Sequence, residues 1–503
     1  MYLGKDFNYY LEENKEVGFI ETLNFPLVGV SGLPHVFLGE VVIFENESLG
    51  LVLTLDEEKV QILLLDETGF KVGEKVARTG APLQISAHQK LLGGAYDSLG
   101  NSLISKEEAA DISSVNNDNE VQLMPIFRDA PDFSERAKVE EPLVTGVSVV
   151  DLMIPLGKGQ RELVLGDKKT GKTEFILQVI LSQVEKGAIC IYAGIGKNKG
   201  EILNILDFSK KEGIEDSFLL VGSSSSESPG AVYLTPYTAM AFAEYFKNQG
   251  RDVMVVLDSM TSHAKYYREL SLIGGSFPGR GSYPGDIFFI HSQLFERSGN
   301  FKVGDSTNSI TCLPVADTVE GDISGYIQTN LMSMTDGHLY FDASLFDEGT
   351  RPAVNTFLSV TRVGRQVQTQ LHQSLTRELS GFLNLLRKHK RFVHFGAELS
   401  EGIRTSLETG EKINAFFKQA PRTVYPLHIQ YLLFTLIWSG LITQTQIRSL
   451  KFLSKKMTEL YKGDTDFKNY VDNLVKESKD FNELLSKVME EQDTIKELLG
   501  INI

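Results

Sequence analysis

The sequence predicts a multidomain chain in which a β-barrel, an α/β domain built on a parallel sheet and an α-helical bundle follow one another. Three observations predict it. Short β-rich runs punctuated by Gly, Asn and Asp fill the segment from Glu16 to about Ile85, which is the spacing of a small antiparallel barrel. From Leu143 to about Gln370 apolar strand-like runs alternate with helical patterns, as they do where helices cover both faces of a parallel sheet. From Ser374 onward the strand-like runs largely stop and apolar residues recur at helical spacing.

In the first part, strands are expected at 17–23, 40–44, 49–55, 59–65 and 75–78. Such a barrel can bind oligonucleotides or serve as a structural collar. The segment lacks interleaved Arg and aromatic residues, which favours the collar. Around Ala87 the character changes, and 91–99 reads as a helix or strand entering a turn, with Gly93, Gly94, Asp97 and Gly100 as turn residues. Residues 105–120 are polar and acidic, a solvated surface insertion. Residues 125–142 are Pro-rich and charged and read as an extended connector.

The α/β part opens on residues 159–173, G-Q-R-E-L-V-L-G-D-K-K-T-G-K-T. Residues 162–165 form a short apolar run suited to a buried strand. Residues 166–173 fit G-x-x-x-x-G-K-[ST], and 174–184 has helical periodicity. Strand, glycine loop and helix in that order are the context a phosphate-binding loop requires. Gly166 and Gly171 allow backbone angles and a close approach that a side chain would block. Amides of the loop, from Gly166 through Asp167, Lys168, Lys169, Thr170 and Gly171 to the helix start, then point at the phosphates of ATP or ADP. Lys172 reaches the β- and γ-phosphates, and the Thr173 hydroxyl ligates Mg²⁺.

Further along, strands are expected at 188–193, 218–221 and 253–257, with helices at 199–212 and 235–249, the last containing Pro236. The run V-M-V-V-L-D ends in Asp258. An acid at the end of a strand beside a phosphate loop holds Mg²⁺, usually through water. The loop A-G-I-G-K-N-K-G (193–200) stands where a carboxylate that orients attacking water is often found, and it carries Lys197 instead. A lysine protonated at neutral pH cannot serve as a base. That points to a site that binds nucleotide without turning it over. In the last part, Leu375, Leu379, Phe382, Leu383 and Leu386 share a helix face, as do Phe481, Leu484, Leu485, Val488, Ile495, Leu498 and Leu499, with Gly500 as the terminating residue.

Composition bounds the function. Lys+Arg 50 against Asp+Glu 66 leaves a net charge of −16, which disfavours a general nucleic-acid binder. Cys190 and Cys312 each sit in an apolar run and read as buried thiols in a reducing compartment. No stretch near Met1 reads as a signal peptide, and the longest apolar runs are too short to span a bilayer. The expectation is a cytoplasmic protein, at most peripheral on the inner face of the cell membrane as part of a larger complex.

These residues resemble the alpha subunit of the F-type ATP synthase, the non-catalytic nucleotide-binding subunit of its head. The phosphate loop is similar to the family's, with Lys168 and Lys169 in place of the usual Arg and Gln. S-S-S-E-S-P-G-A-V-Y-L-T-P-Y (224–237), Y-Y-R-E-L-S-L (266–272), Y-P-G-D-I-F-F-I-H-S-Q-L-F-E-R (283–297), T-N-L-M-S-M-T-D-G (329–337) and R-P-A-V-N-T-F-L-S-V-T-R-V-G (351–364) match in order, as does K-V-G-E-K-V-A-R-T-G-A-P-L-Q-I (71–85). The resemblance implies a barrel crown over 1–86, a RecA-like P-loop nucleotide-binding domain over 87–372 and a C-terminal helical domain over 373–503. It implies that Glu174 and Gln419 join the loop in binding Mg-ATP or Mg-ADP. It places Arg362 on the arginine finger that reaches into a neighbouring beta-like catalytic site. It implies an alternating ring of alpha-like and beta-like subunits around a gamma-like shaft, with E-L-S-E (398–401) facing that rotor. The chain departs from the family in L-N-F-P-L-V-G-V (23–30), in Lys169, in the shorter tail before Glu16 and in the insertion at 105–120. These departures resemble those of the F-type-like ATPases of mycoplasmas, some of which serve gliding. The competing reading is a ring-shaped RNA helicase or transcription terminator of the same superfamily.

Overall fold

The computed structural model describes residues 5–56, 59–65, 69–103, 121–394, 401–442 and 450–499. The chain forms two compact units. One comprises 1–138, 187–317 and 323–335, the other 139–186, 318–322 and 336–503. The expected insertion at 105–120, residues 398–400 of E-L-S-E and Gly500 lie outside the described residues.

The first unit begins with a closed barrel of strands Val17–Asn24, Leu27–Ser31, Val60–Leu64, Leu49–Leu55, Glu40–Phe44 and Lys75–Pro82, in that order around the wall. Every expected strand is present. The strand Leu27–Ser31 was not expected, because Phe25 and Pro26 interrupt the run. They form the turn of a hairpin in which Asn24 faces Leu27. Ile20, Val30, Phe44, Val52, Ile62 and Val76 fill the barrel. Glu40 is fully buried, and its carboxylate is spent on Arg78 Nε at 3.0 Å, the Gly80 amide at 2.8 Å and the Phe37 amide at 3.1 Å. Those partners are what allow a carboxylate to remain inside.

The same unit continues into parallel strands. Ser306–Asp317, Val253–Asp258, Ile189–Lys197, Phe218–Ser224 and the short Ala95–Tyr96 lie side by side. Val253–Asp258 is buried throughout, the continuous apolar run of a strand covered on both faces. Cys190 and Cys312 lie in two of these strands, both buried and neither in a disulfide. The helix Lys199–Glu212 is as expected. The next helix starts at Pro229 rather than at Thr235. Ser228 caps it by accepting the Ala231 N–H at 3.2 Å, and proline suits the first helical position because its missing N–H would be unpaired there. At the end of Ile287–Glu296 comes Arg297, 1% exposed, whose Nε lies 2.8 Å and Nη2 3.1 Å from the Glu244 carboxylate. Its Nη1 donates to Ile126 O at 2.7 Å.

In the second unit Glu162–Gly166 pairs in parallel with Gly337–Phe341, and the latter pairs antiparallel with Val360–Thr361. The helix Lys172–Val184 follows the first of these strands. The C-terminal part is helical: Gln370–His394, Glu401–Phe417, Leu427–Trp438, Leu450–Gly463, Thr465–Lys476, Phe481–Glu490 and Gln492–Leu499. Leu371, Leu375, Leu379, Leu383 and Leu386 form the buried stripe of the first of them. Among the described residues no helix is long and apolar enough to cross a membrane.

Removing one partner of a buried, hydrogen-bonded ion pair strands the other charge, at a cost of about 3–5 kcal/mol. Glu244→Ala is therefore expected to lower the stability of the first unit by that amount, read as a shift in the chemical-denaturation midpoint. Unfolding at the wild-type midpoint would mean that Arg297 is satisfied without Glu244.

Candidate phosphate-binding site

The loop is shaped by a backbone approach that only glycine permits. A Cβ on Gly166 would lie 2.4 Å from Phe341 O, and Gly171 has a positive φ of 91°. Between them Lys169 also takes positive φ, at 65°. Asp167 does not face outward. Its carboxylate accepts the Thr318 hydroxyl and, at 3.0 Å, the Gly321 amide, while Thr318 N–H bonds Gly166 O at 3.1 Å. The Thr170 hydroxyl donates to Asp167 O at 2.7 Å. Lys172 is buried, with Nζ 2.6 Å from Gly166 O and 2.7 Å from Asp167 O, which holds the ammonium over the loop. Gly171 stands at the N-cap of Lys172–Val184 and offers that helix no side-chain acceptor. First-turn amides left without a side-chain cap, a helix dipole and an ammonium at one place fit a phosphate group.

Around this loop the second unit brings together several of the residues expected from sequence. Lys168, Lys169, Thr173 and Glu174 are exposed on it, Glu174 with Arg422 Nε at 3.8 Å. Gln419 is buried. Its Nε2 donates to Gly146 O at 2.6 Å, its Oε1 accepts the Ser148 amide at 3.2 Å, and its backbone N–H bonds Arg351 O at 2.8 Å. Both ends of its amide are thus used on backbone, and it anchors the segment carrying Arg351. Two groups were not expected from sequence. The Phe346 ring lies beside Gly171, and the Arg351 guanidinium carbon stands 3.3 Å from the centre of that ring. The arginine of R-P-A-V was in view as a motif, but nothing in spacing alone pairs it with a phenylalanine on a preceding short helix.

Arg362 belongs to the same unit, exposed, with its N–H bonded to Asp336 O at 2.9 Å. The Asp336 carboxylate is gripped by Arg161 Nε at 3.1 Å and Nη2 at 3.0 Å. Next to this clamp, Glu162 is fully buried. Gln160 Nε2 donates to one carboxyl oxygen at 2.7 Å, and among the described residues the other has no hydrogen-bond partner. Burial holds the Glu162 carboxyl well above the usual carboxylate range, with Asp336 adding to the effect and Gln160 and Arg362 opposing it. Gly337 leaves room for it, since a Cβ there would lie 2.5 Å from Glu162 Oε2 and 2.2 Å from Val360 O.

Asp258 and Lys197 belong to the first unit. Lys197 Nζ lies 2.8 Å from Asp258 Oδ1, and the Tyr192 hydroxyl donates to Oδ2 at 2.5 Å. Burial and the Asp258 charge push the Tyr192 phenol well above its ordinary value, so it stays a donor. The expected metal acid is therefore spoken for on both oxygens. A Mg²⁺ ion, which takes six oxygen ligands and keeps several waters, does not fit this arrangement of Asp258.

Strand, glycine loop and helix with a lysine held over the loop define a P-loop nucleotide-binding protein. The chain belongs to the ATP synthase alpha/beta family, and within it to the alpha subunits. The family's nucleotide-binding domain matches residues 146–361, and its C-terminal domain matches 368–492. The chain is 35% identical over 448 residues to the ATP synthase subunit alpha 2 of Syntrophus aciditrophicus (strain SB), covering 89% of this chain and 85% of the relative. It is 35% identical over 491 residues to the ATP synthase subunit alpha of Petrotoga mobilis (strain DSM 10674 / SJ95), covering 96% and 95%. To the corresponding subunit of Clostridium botulinum (strain Eklund 17B / Type B) it is 36% identical over 431 residues, covering 86% and 84%.

The Glu162 geometry carries a pH prediction. A carboxyl whose folded pKa is raised contributes stability that is intact below its unfolded pKa and is lost as pH rises towards the folded value. Glu162→Gln keeps the shape without the charge. Its stability relative to wild type is expected to improve between pH 5 and pH 8 in paired denaturation curves. A difference that stays constant across that window would mean that Glu162 is ionised at no cost.

Proposed function

We propose that this chain is the non-catalytic, alpha-like nucleotide-binding subunit of a hexameric rotary F-type ATPase head. In this reading the loop from Gly166 to Thr173 takes the phosphates of ATP or ADP, with Lys172 on the β- and γ-phosphates. The Thr173 hydroxyl is the side chain on the loop suited to Mg²⁺. Asp258 enters as the acid of the phosphate site with its charge already balanced by Lys197. Glu174 flanks the loop, and Gln419 acts by holding the Arg351 segment. Phe346, beside Gly171, is an aromatic face on which a nucleobase can stack.

The observation that carries the reading is the pairing of an intact phosphate loop with Lys197. An ammonium engaged by a carboxylate at 2.8 Å has no lone pair with which to take a proton from attacking water, so the chain binds nucleotide and leaves hydrolysis to a neighbour. That neighbour is a beta-like catalytic subunit, alternating with this one around a gamma-like shaft. The head stands in the cytoplasm, peripheral on the inner face of the membrane, and no nucleic acid takes part. Hydrolysis or synthesis of ATP is coupled to rotation. Rotation serves proton transport or, in a divergent machine of the mycoplasma type, another motor function such as gliding. The chains that co-purify with the native complex distinguish these two. A ring-shaped RNA helicase or transcription terminator is the weaker reading, since the net charge of −16 opposes a polyanion.

Lys172→Ala is expected to abolish or greatly weaken ATP and ADP binding, because one charge-assisted phosphate contact is worth about 1.5–3 kcal/mol. Isothermal titration of the full chain measures it, and unchanged affinity would remove the loop from the site.

Arg362 is exposed at a strand end, where its planar fork can reach a phosphate on another subunit. An arginine finger is worth about 10³–10⁵ in rate, and lysine lacks its geometry. Arg362→Lys is expected to leave assembly and this chain's own nucleotide binding intact while cutting ATP turnover of the complex by orders of magnitude. Near-normal turnover in the assembled variant would make Arg362 a structural residue.

A further inference from the structure

The parallel strands of the first unit do something specific with Lys197. In register, Gly194 stands opposite Asp258 on one side and Gly222 on the other, but after Gly194 the pairing slips so that Lys197 stands opposite Ser224. Such an irregularity re-aims the side chains that follow it. Gly196 takes the positive φ this needs, 61°, and its amide is tied to Ser223 Oγ at 3.2 Å. Lys197 O accepts the Ser225 amide at 2.8 Å. The lysine stem is thus fixed at both ends of the turn, and its side chain, 23% exposed, runs back to an aspartate side chain that is 4% exposed. This is a built ion pair rather than a surface lysine resting on a turn.

Asp258 consequently carries a permanent cation. Its Oδ1 is held by Lys197 and its Oδ2 by Tyr192, so a hydrated divalent ion would have to displace an ammonium and then sit beside it as a like charge. A second observation points the same way from a different element. The phosphate loop itself presents Lys168 and Lys169 to solvent in addition to the buried Lys172, so the chain supplies positive charge for phosphates from its own side chains.

We propose that Lys197 is a built-in counter-cation that stands in for the divalent metal at Asp258, so that this chain holds nucleotide without requiring Mg²⁺. The inference rests on the nucleotide-binding reading above. Its chemistry is charge substitution, with no covalent step. The ammonium balances the acid, as the metal would, but does not bridge two phosphates or orient water. The chain would therefore keep its nucleotide through conditions that strip Mg²⁺.

The test is isothermal titration of the full chain with ADP, in Mg²⁺ and in EDTA. Coupling between two bound ligands is typically about 5–150-fold; here the dissociation constants are expected to agree within about threefold. Lys197→Gln, which removes the charge and leaves Tyr192 on Asp258, is expected to bring Mg²⁺ dependence of about tenfold or more. Lys197→Arg keeps the charge and is expected to behave as wild type, which supports the proposal whether or not the glutamine variant folds. ADP bound by wild type only when Mg²⁺ is present would overturn the inference and leave the nucleotide reading standing. So would a glutamine variant as indifferent to Mg²⁺ as wild type, or an arginine variant that needs it. No ADP binding in either medium would overturn the nucleotide reading, and the inference with it.

Discussion

The hydrogen bonds from Thr318 and Gly321 to the Asp167 carboxylate hold the phosphate loop in the shape on which its candidate chemistry depends. A carboxylate facing the phosphates would repel them. Turned inward and bonded to an N–H and a hydroxyl, it instead pins the first turn of the loop against the segment after the long strand. With that turn fixed, Gly166 can lie against Phe341 O, Lys172 can fold over the loop carbonyls, and the helix amides are aimed without a side-chain cap. The loop owes its shape to an acid that never meets a ligand.

Interior acids recur through the molecule, and they divide by how their charge is met. Glu244 and Glu40 are matched by Arg297 and Arg78 in geometry close enough for two-pronged contact. Asp151 is surrounded by donors, the amides of Thr145 and Gly146, the Thr145 hydroxyl and Gln430 Nε2. Glu162 has only Gln160 and the distant field of Arg362, and it answers by holding its proton. The choice between pairing and protonation follows from what is within reach, since a buried carboxylate without partners costs more than a neutral carboxyl.

Much of this was legible from residues. The barrel strands, the helix Lys199–Glu212 and the strand ending in Asp258 follow from alternation and burial runs, because those patterns reflect a local period. Where local and tertiary cues disagree, the sequence misleads. Phe25 and Pro26 look like an interruption and are the tip of a hairpin, and Pro236 drew attention from Pro229, the residue that starts the helix. The candidate site divides the same way. The loop motif is local, so its residues were named in advance. The bond from Lys197 to Asp258, the inward turn of Asp167 and the placing of Phe346 by Gly171 join positions far apart in the chain, and no periodicity encodes them. Sequence identified the missing carboxylate at Lys197; only the folded strands assign the lysine a partner.

Cys190 and Cys312 sit in the parallel strands of the first unit, sealed from solvent, and burial pushes the Cys190 thiol up. Only the thiolate reacts at an appreciable rate. Alkylating reagents will therefore meet these sulfurs when the strands part and not before. The protein carries two internal clocks for the opening of its sheet, whose labelling rates report how often that unit breathes while the helices of the other unit, which among the described residues hold no cysteine, stay silent.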